Sequence, residues 1–454
     1  MKFVLIILFF CINISLFAQE WQKLGGGASF DIRDFYADTS NNLLYVVGGF
    51  QYMDTIEANG IAVWNSNNWD KLDSVDVYCF NGGCNPLINI QKYNSDFFVS
   101  GNFGYYGNNL KFLRKWDGFS WSYCGNPNSI VNLKIVNNEL FALGWFDTIS
   151  NQNINRIAKW NGLSWESYAL PLAFFHGNGS VVTAEFYKGE YYFAGNFSFA
   201  GGLNEIACWD GSQWKPLQNG IGGDSWINDI VVYKNTLFVG GYFFHSDGNI
   251  SDFLMAWNGN QWFNPFPGIQ FMGQVRDLEV INNKLYIVGN YIVPNDSGMF
   301  AFANYDGAYF NAFGGRAIYP YWPDPSAIAG MNGEIFVACN YVLFNDTVKY
   351  IAKWTGTQYD TSIYIPLSIN PNSLLKYDLS IFPNPSTGSI TVKTQNEPIK
   401  TIEIYNNIGI KVDEISFPNI VTEYKYNSVN KKNGMYLFKV KTNQNLYHKK
   451  VIFY

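Results

Sequence analysis

Trp116-Asp117-Gly118-Phe119-Ser120-Trp121 is one of seven copies of a short aromatic motif in this chain of 454 residues. The other copies, some of them degraded, begin at Trp64, Trp160, Trp209, Trp257, Tyr305 and Trp354. Successive copies therefore start 52, 44, 49, 48, 48 and 49 residues apart. A period in this range, with several short strands in each repeat, is typical of a β-propeller or a related repeat array.

The sixth repeat shows the strands of one unit. Residues 275–280 alternate between apolar and polar, which predicts a half-buried strand, and residues 285–291 form a more continuous apolar run, as in a strand buried on both faces. A third strand is predicted over 300–305. Asp306-Gly307 is a strong hairpin dipeptide, and it leads into a short fourth strand at Tyr309. Four antiparallel strands in each repeat make one propeller blade.

The motif itself is explained by this architecture. Its first aromatic residue ends the third strand, Asn/Asp-Gly makes the turn, and its last aromatic residue begins the fourth strand. We expect the paired rings to pack between adjacent blades as scaffold. Glycine at the end of the second strand, as in Gly48-Gly49 and Gly240-Gly241, permits a bulge or a close backbone approach.

The predicted fold class is all-β, a seven-bladed β-propeller of four-stranded blades followed by a small β-sandwich. Six or eight blades are the alternatives. The ring has two candidate closing strands, since Trp21–Leu24 resembles a fourth strand and Gln358-Tyr359 is a weaker candidate within the seventh repeat.

The N-terminus has the features of a secretory signal peptide. Lys2 precedes a mainly apolar stretch over 3–17, and Ala18 offers a small residue for cleavage. We predict a signal peptide over 1–18, a propeller over 19–366, a linker over 367–376 and a C-terminal domain over 377–454. No transmembrane segment is expected after the signal is removed.

Charge and cysteine content exclude some functions. Residues 1–376 hold 20 Lys or Arg and 30 acids, whereas residues 377–454 hold 10 Lys and 6 acids. The acidic main body argues against binding to nucleic acid, which needs a basic face. No Cys-x-x-Cys pair is present, which disfavours a zinc site. One disulfide is expected among Cys79, Cys84 and Cys124, while we expect Cys208 and Cys339 to be buried.

Residues 21–365 resemble a kelch-type propeller of the galactose-oxidase-like superfamily. The resemblance rests on the Gly-Gly or Gly-Asn strand ends, the paired tryptophans, and matches such as Ile61-Ala62-Val63-Trp64. The copper site of galactose-oxidase-like enzymes needs histidines and a cross-linked Tyr–Cys pair. Only His176 and His245 precede the C-terminal segment, so the chain cannot reproduce that copper site and we do not expect its activity.

The C-terminal segment contains Ile381-Phe382-Pro383-Asn384-Pro385 and, further on, Gly434-Met435-Tyr436-Leu437-Phe438. With these landmarks the segment resembles the type A sorting domain of the type IX secretion system. The resemblance implies a small β-sandwich, export across the outer membrane of a Bacteroidota-type bacterium, contact with the secretion machinery, and release or surface attachment of the cargo. An ordinary adhesive β-sandwich is the alternative. The residues that carry the sorting signal are Pro383, Asn384, Pro385, Gly409, Gly434, Lys449 and Lys450.

No known catalytic motif appears, and we assign no catalytic residue, cofactor or metal. Aromatic residues make up 19% of the chain, and rings near Asn and Asp suit the binding of sugars or peptides. We therefore expect a secreted or cell-surface module that binds a glycan or a protein, with a polysaccharide lyase or hydrolase as the alternative. The candidate ligand-binding residues, which could instead cap the blade cores, are Tyr52, Tyr105, Tyr106, Phe146, Trp226, Phe243, His245 and Trp322.

Overall fold

The chain divides into two compact units, Met1–Leu367 and Ser368–Tyr454. The predicted signal peptide and linker lie outside the residues that the structure describes. The computed structural model describes residues 21–72, 77–80, 82–104, 111–129, 131–168, 179–198, 204–223, 225–294, 298–314, 324–339, 350–356, 359–365, 379–383, 386, 388–394, 398–406, 410–419, 421–427, 433–442 and 446–453.

The described part of the first unit is built from seven antiparallel sheets, numbered here sheet 1 to sheet 7 in the chain order of their first strands. Sheet 1 comprises Ile32–Asp38, Leu43–Gly48, Ile61–Trp64 and Trp69–Lys71; sheet 2 comprises Leu87–Tyr93, Asp96–Phe103, Lys111–Trp116 and Trp121–Tyr123; sheet 3 comprises Val131–Val136, Glu139–Gly144, Ile157–Trp160 and Trp165–Ser167; sheet 4 comprises Ser180–Tyr187, Glu190–Ser198, Asn204–Trp209 and Trp214–Pro216.

The later sheets depart from this pattern in one way: strands from the two ends of the unit join sheets 6 and 7. Sheet 5 comprises Trp226–Tyr233, Thr236–Tyr242, Leu254–Trp257 and Trp262–Phe263; sheet 6 comprises Gln270–Ile281, Lys284–Ile292, Phe300–Tyr305, Tyr309–Phe313 and, as a fifth strand, Thr361–Tyr364; sheet 7 comprises Pro325–Met331, Glu334–Cys339, Ile351–Trp354 and, as its fourth strand, Trp21–Lys23.

Within the described ranges, three short hairpins and one 3-10 turn lie in the loops of these sheets. They are Tyr52–Met53 with Ile56–Glu57, Cys79–Phe80 with Gly83–Cys84, Thr148–Ile149 with Gln152–Asn153, and the turn His245–Asp247. A disulfide joins Cys79 to Cys84, and Cys124, Cys208 and Cys339 are buried.

The aromatic motif forms the hairpin between the third and fourth strands, as predicted. In sheet 2 the register sets Trp116 opposite Trp121, and Asp117 Oδ1 accepts hydrogen bonds from the backbone N–H groups of Phe119 and Ser120 at 2.9 and 2.8 Å. In five sheets the two indoles lie 5.1 to 5.3 Å apart between ring centroids. The motif therefore packs as scaffold.

The last indole of the motif also donates a hydrogen bond to the backbone just after the preceding sheet. Trp69 of sheet 1 donates its Nε1–H to the carbonyl of Leu24, directly after the fourth strand of sheet 7, at 2.7 Å. The same bond joins Trp262 of sheet 5 to Leu217, directly after sheet 4, at 3.0 Å. Neighbouring sheets are thus joined by hydrogen bonds as well as by packing.

The seventh motif lacks a second tryptophan of its own, and Trp21 takes that place. Trp21 lies opposite Trp354, with ring centroids 5.1 Å apart, and its Nε1–H donates to the carbonyl of Gly314 after sheet 6 at 2.8 Å. Of the two closing candidates, the N-terminal strand is the one that completes sheet 7. Tyr359 precedes a strand of sheet 6, and Gln358 lies outside the described residues.

First strands contact one another in an unbroken cycle. Each first strand contacts those of the preceding and the following sheet, and Pro325–Met331 of sheet 7 contacts Ile32–Asp38 of sheet 1. In every sheet except sheet 3, the first strand carries a bulge close to the residue that faces the end of the second strand. A Cβ on Gly241 would collide with the carbonyl oxygen of Trp226, which explains the glycine there.

The second unit contains two antiparallel sheets. Residues from both sheets, including Val392 and Phe438, form one buried cluster, which is the packing of a two-layer β structure. The first sheet comprises Leu379–Phe382, Ser389–Thr394 and Glu423–Asn427; the second comprises Lys411–Ser416, Ile399–Tyr405, Gly434–Thr442 and Leu446–Phe453.

Candidate functional site

A cavity of about 930 Å3 lies between the seven first strands, and every one of them contributes to its wall. We call it the central cavity. Side chains of alternate residues point into it because successive residues of a strand face opposite ways. Its lining is mainly polar, in contrast to the apolar clusters between the sheets.

One position repeats around the wall. In six sheets this position directly follows the bulge of the first strand, and in sheet 3, which has no bulge, it is the corresponding residue. In each sheet it pairs with the residue just before the glycine near the end of the second strand, or before Cys339 in sheet 7, as Asp277 pairs with Val288 before Gly289. Six of the seven sheets place a polar side chain there. The residues at this position, called the belt, are Asp34, Asn89, Asn132, Thr183, Asp229, Asp277 and Ala327.

Belt side chains accept hydrogen bonds from the backbone of the next sheet. Asp34 Oδ2 accepts from the N–H of Ile90 at 2.9 Å, and it also accepts from the side-chain amide of Asn89 at 2.7 Å. Asp277 Oδ2 accepts from the N–H of Ile328 at 2.9 Å. These carboxylates therefore bond the first strands to one another, which is a structural role.

An ion pair spans two sheets that are not neighbours. Lys134 Nζ of sheet 3 lies 2.9 Å from Asp229 Oδ1 of sheet 5, and the same oxygen accepts from Thr183 Oγ1 of sheet 4 at 2.8 Å. Asp229 Oδ2 accepts from the N–H of Leu278 of sheet 6 at 3.3 Å. Asp229 thus connects sheets 3, 4, 5 and 6.

Four carboxyl groups of the cavity wall have a raised pKa: Asp34, Asp277, Glu279 and Glu185. Burial, reinforced by neighbouring carboxylates, raises the pKa of Asp34 and that of Asp277 to about 7. Burial and the nearby charge of Asp277 raise the pKa of Glu279 to about 8, against the opposing effect of Lys134. Burial also raises the pKa of Glu185. Around neutral pH several of these acids can donate hydrogen bonds.

Five polar side chains of the cavity wall have no hydrogen-bond partner among the described residues: Tyr36, Gln91, Asn132, Glu279 and Asn282. Asn132 belongs to the belt, whereas Tyr36, Gln91 and Glu279 lie two residues after belt positions. The Tyr36 ring packs against Tyr45 and Phe97. Because the belt acids are engaged between strands, the groups nearest the belt that can bind a ligand are Gln91, Asn132 and Glu279.

One end of the cavity lies where the first strands begin. Two arginines of the bulges stand there, and each is paired with an acid: Arg33 with Asp31, and Arg276 with Asp324 at 2.6 Å. Nearby, Trp226 begins the first strand of sheet 5, two residues before Asn228 of the cavity wall.

Trp226 is one of three predicted ligand-binding residues that the structure places at the surface. Its ring is 39% exposed and stacks on Tyr242 with centroids 4.7 Å apart. Tyr52 is 40% exposed in the hairpin after sheet 1's second strand. His245 is exposed in the 3-10 turn of sheet 5.

Phe146 and Phe243 are not surface rings for a ligand, and they take the stated alternative of core residues. Both are fully buried, Phe146 in the apolar cluster shared by sheets 2 and 3 and Phe243 in that shared by sheets 4 and 5. Phe146 follows its second strand by two residues and Phe243 follows its own by one, and the chain turns both rings into the core rather than towards solvent. Tyr105, Tyr106 and Trp322 lie outside the described residues.

Sorting-signal residues are partly described. Pro383 is exposed, Gly434 begins a strand, and Lys449 and Lys450 lie opposite Phe438 and Leu437 in the last strand. Asn384, Pro385 and Gly409 lie outside the described residues.

Belt residues were not singled out from the sequence, although a signal exists. Asn89, Asn132, Thr183, Asp229 and Asp277 each precede the glycine at the end of the second strand by twelve residues, as in Asn89 and Gly101. In every sheet except sheet 3 the bulge shifts the side chains by one place, and it therefore decides which residue of the strand faces the cavity.

The described ranges contain no group of three or more His, Cys, Asp or Glu side chains arranged to hold a metal ion. They also contain no helix long and apolar enough to cross a membrane.

Comparison with known proteins identifies the C-terminal unit. Residues 380–454 match the family described as secretion system C-terminal sorting domain. A stretch of 87 residues is 32% identical to an endo-acting ulvan lyase from Formosa agariphila, and the match covers 19% of this chain but only 17% of the lyase.

Two solved structures resemble the chain weakly. The structure of YjhT has a TM-score of 0.37 at 10% identity and covers 62% of this chain and 96% of its own. A protein of unknown function from Bacteroides thetaiotaomicron has a TM-score of 0.36 at 11% identity and covers 73% of this chain and 96% of its own. The sorting domain shows that the protein interacts with the type IX secretion machinery and is secreted or held at the outer cell surface.

Proposed function

We propose that the first unit is a closed, seven-bladed, kelch-type β-propeller over residues 19–366, and that it acts outside the cell as a glycan-binding module. The unbroken cycle of contacts between first strands supports closure, as do the indole–carbonyl bonds of Trp21 and Trp69 on either side of sheet 7. The sorting domain, residues 377–454, is proposed to deliver it in a Bacteroidota-type bacterium and then to be removed or exchanged for a surface attachment.

The central cavity carries the proposal of binding. Its volume of about 930 Å3 lies in the range, about 300–1,000 Å3, of ligand sites. A polar wall excludes an apolar ligand, because its groups would lose their hydrogen bonds to water without replacement. A hydroxyl-rich sugar can replace those bonds.

The free groups of the wall suit sugar hydroxyls. The amides of Gln91 and Asn132 offer both donors and acceptors. A pKa of about 8 keeps most of the Glu279 carboxyl protonated at neutral pH, so that it can also donate. At the end of the cavity, the stacked rings of Trp226 and Tyr242 offer an aromatic face for a further sugar ring.

A glycan array followed by calorimetry on the mature full chain tests this function. We expect a neutral oligosaccharide to bind, and we expect Gln91→Ala to weaken it about five- to tenfold, the worth of about one hydrogen bond. Gln213→Ala is the matched control, because Gln213 is exposed in the turn of sheet 4's motif. Absence of binding to every glycan, or equal affinities for Gln91→Ala and Gln213→Ala, would contradict the proposal.

A polysaccharide lyase or hydrolase is the second candidate. One observation favours it: Glu279 combines a free carboxyl with a pKa near 8, which are the properties of a general acid. The engagement of the other acids between strands favours binding instead. Turnover of a polysaccharide by the mature chain, abolished in Glu279→Gln, would establish the enzyme.

A further inference from the structure

A second cavity lies at the side of sheet 5, apart from the central cavity. It has a volume of about 340 Å3 and lies between the loop that joins the second and third strands of sheet 5 and the connection from sheet 5 to sheet 6. We call it the lateral pocket. The residues on which its chemistry depends are His245, Ile250, Asp252, Asn264, Gln270 and Phe271.

The lateral pocket holds its histidine in one tautomer. His245 Nδ1 lies 2.7 Å from the carbonyl oxygen of Asn249. A carbonyl oxygen only accepts, so Nδ1 carries the hydrogen and Nε2 of the neutral ring remains an acceptor. A ligand hydroxyl can donate to that nitrogen.

The loop around His245 is fixed by a buried asparagine. The Asn249 side chain accepts from the N–H of Gly222 at 2.9 Å and donates to the carbonyl of Phe244 at 2.9 Å. The N–H of His245 in turn donates to Asp252 Oδ1 at 2.5 Å. The site is therefore preorganised, which reduces the entropy lost on binding.

The wall of the lateral pocket has both polar and apolar side chains. Asn264 uses its side-chain oxygen to accept from the N–H of Phe266 at 2.9 Å, which leaves its NH2 group to donate. Gln270 adds a second amide. Phe271 and Ile250, the latter 50% exposed, supply apolar surface.

We propose that the lateral pocket is a binding site for one uncharged sugar ring, separate from the central cavity. A pyranose presents hydroxyl groups at its edge and C–H groups on its faces. The hydroxyl groups match the side-chain amides and His245 Nε2, and the C–H groups match the apolar side chains of Ile250 and Phe271. The carboxylate of Asp252 disfavours an acidic sugar by charge repulsion. The volume of the pocket is at the small end of ligand sites, which favours a single ring.

Saturation-transfer difference NMR on the mature full chain tests the site, with the methyl glycosides of glucose, galactose and mannose and methyl glucuronide as probes. At least one neutral glycoside is expected to bind, and the glucuronide is not. His245→Asn is the decisive variant, because its amide NH2 can keep the bond to the Asn249 carbonyl while the Nε2 acceptor is lost. We expect the dissociation constant to rise about five- to tenfold without a change in the unfolding midpoint.

Controls separate this site from the central cavity. Ile250→Ala should weaken binding of the same glycoside, whereas Leu163→Ala, another exposed apolar side chain on sheet 3's hairpin, should not. Gln91→Ala should leave it unchanged. Absence of saturation transfer from every probe, or equal affinities for the parent, His245→Asn and Ile250→Ala, would overturn the proposal. Loss of binding in Gln91→Ala alone would place the sugar in the central cavity instead.

Discussion

Replacing Asp229 by alanine should destabilise the first unit far more than the loss of an ordinary surface ion pair. Asp229 accepts three hydrogen bonds, from Lys134, Thr183 and Leu278, and its side chain is 10% exposed. Removing one member of a buried ion pair costs about 3–5 kcal/mol, because the remaining charge stays desolvated. The Lys134 side chain retains 30% exposure towards the cavity, so we expect the lower end, about 3 kcal/mol.

Tryptophan fluorescence during urea unfolding measures this loss in the full chain. All 15 tryptophans precede residue 368, so their emission reports on the first unit alone. Asp229→Asn, which keeps an acceptor but loses the charge, should give an intermediate loss. Glu334→Ala is the control: it breaks the Lys353–Glu334 pair of 2.7 Å at the surface, which should cost less than about 1 kcal/mol. If Asp229→Ala lost no more than Glu334→Ala, the structural role assigned to the belt would be refuted.

Three further predictions use the same fluorescence assay. The raised pKa values of Asp34, Asp277 and Glu279 mean that the folded chain binds more protons than the unfolded chain, so their contribution to stability falls as the pH rises from about 4 to about 8. Glu279→Gln should therefore gain stability relative to the parent at pH 8.5 but not at pH 4, and an equal difference at both values would contradict this. Trp21→Ala should cost about 3–5 kcal/mol, as for a buried aromatic ring; a loss below 1 kcal/mol would argue against the N-terminal strand as the closing strand. Replacing both Cys79 and Cys84 by serine should cost about 2 kcal/mol, the loop entropy of so short a ring, and an unchanged midpoint would show that the disulfide constrains only its own hairpin.

The sequence predicts the scaffold well because the scaffold depends on local patterns. The Asp117 turn and the pairing of Trp116 with Trp121 involve residues within six positions of each other, so turn chemistry and strand alternation are enough to predict them. The four strands of the sixth repeat were predicted within a few residues for the same reason.

The candidate site was harder to predict because it depends on contacts between sheets. Asp34 and Ile90 are 56 residues apart, and Lys134 and Asp229 are 95 residues apart. No local pattern indicates that Lys134 reaches past sheet 4 to Asp229. The sequence left open whether Phe146 and Phe243 bind a ligand or cap the cores, because exposure of an aromatic ring after a strand depends on the direction of the loop that follows.

Sheet 7 has a consequence for how the protein completes its folding during export. Its pairing of Trp21 with Trp354 spans more than 330 residues of chain, whereas the first four strands of sheets 1 to 6 are each contiguous. The loop-closure entropy of that pairing can be offset only when both segments are present together. A chain that is still being synthesised can form the six contiguous sheets, but the strand Trp21–Lys23 has no pairing partner until Ile351–Trp354 has been made. A mutation in the N-terminal strand would therefore prolong the exposure of unpaired strand edges and favour aggregation or proteolysis before export is complete.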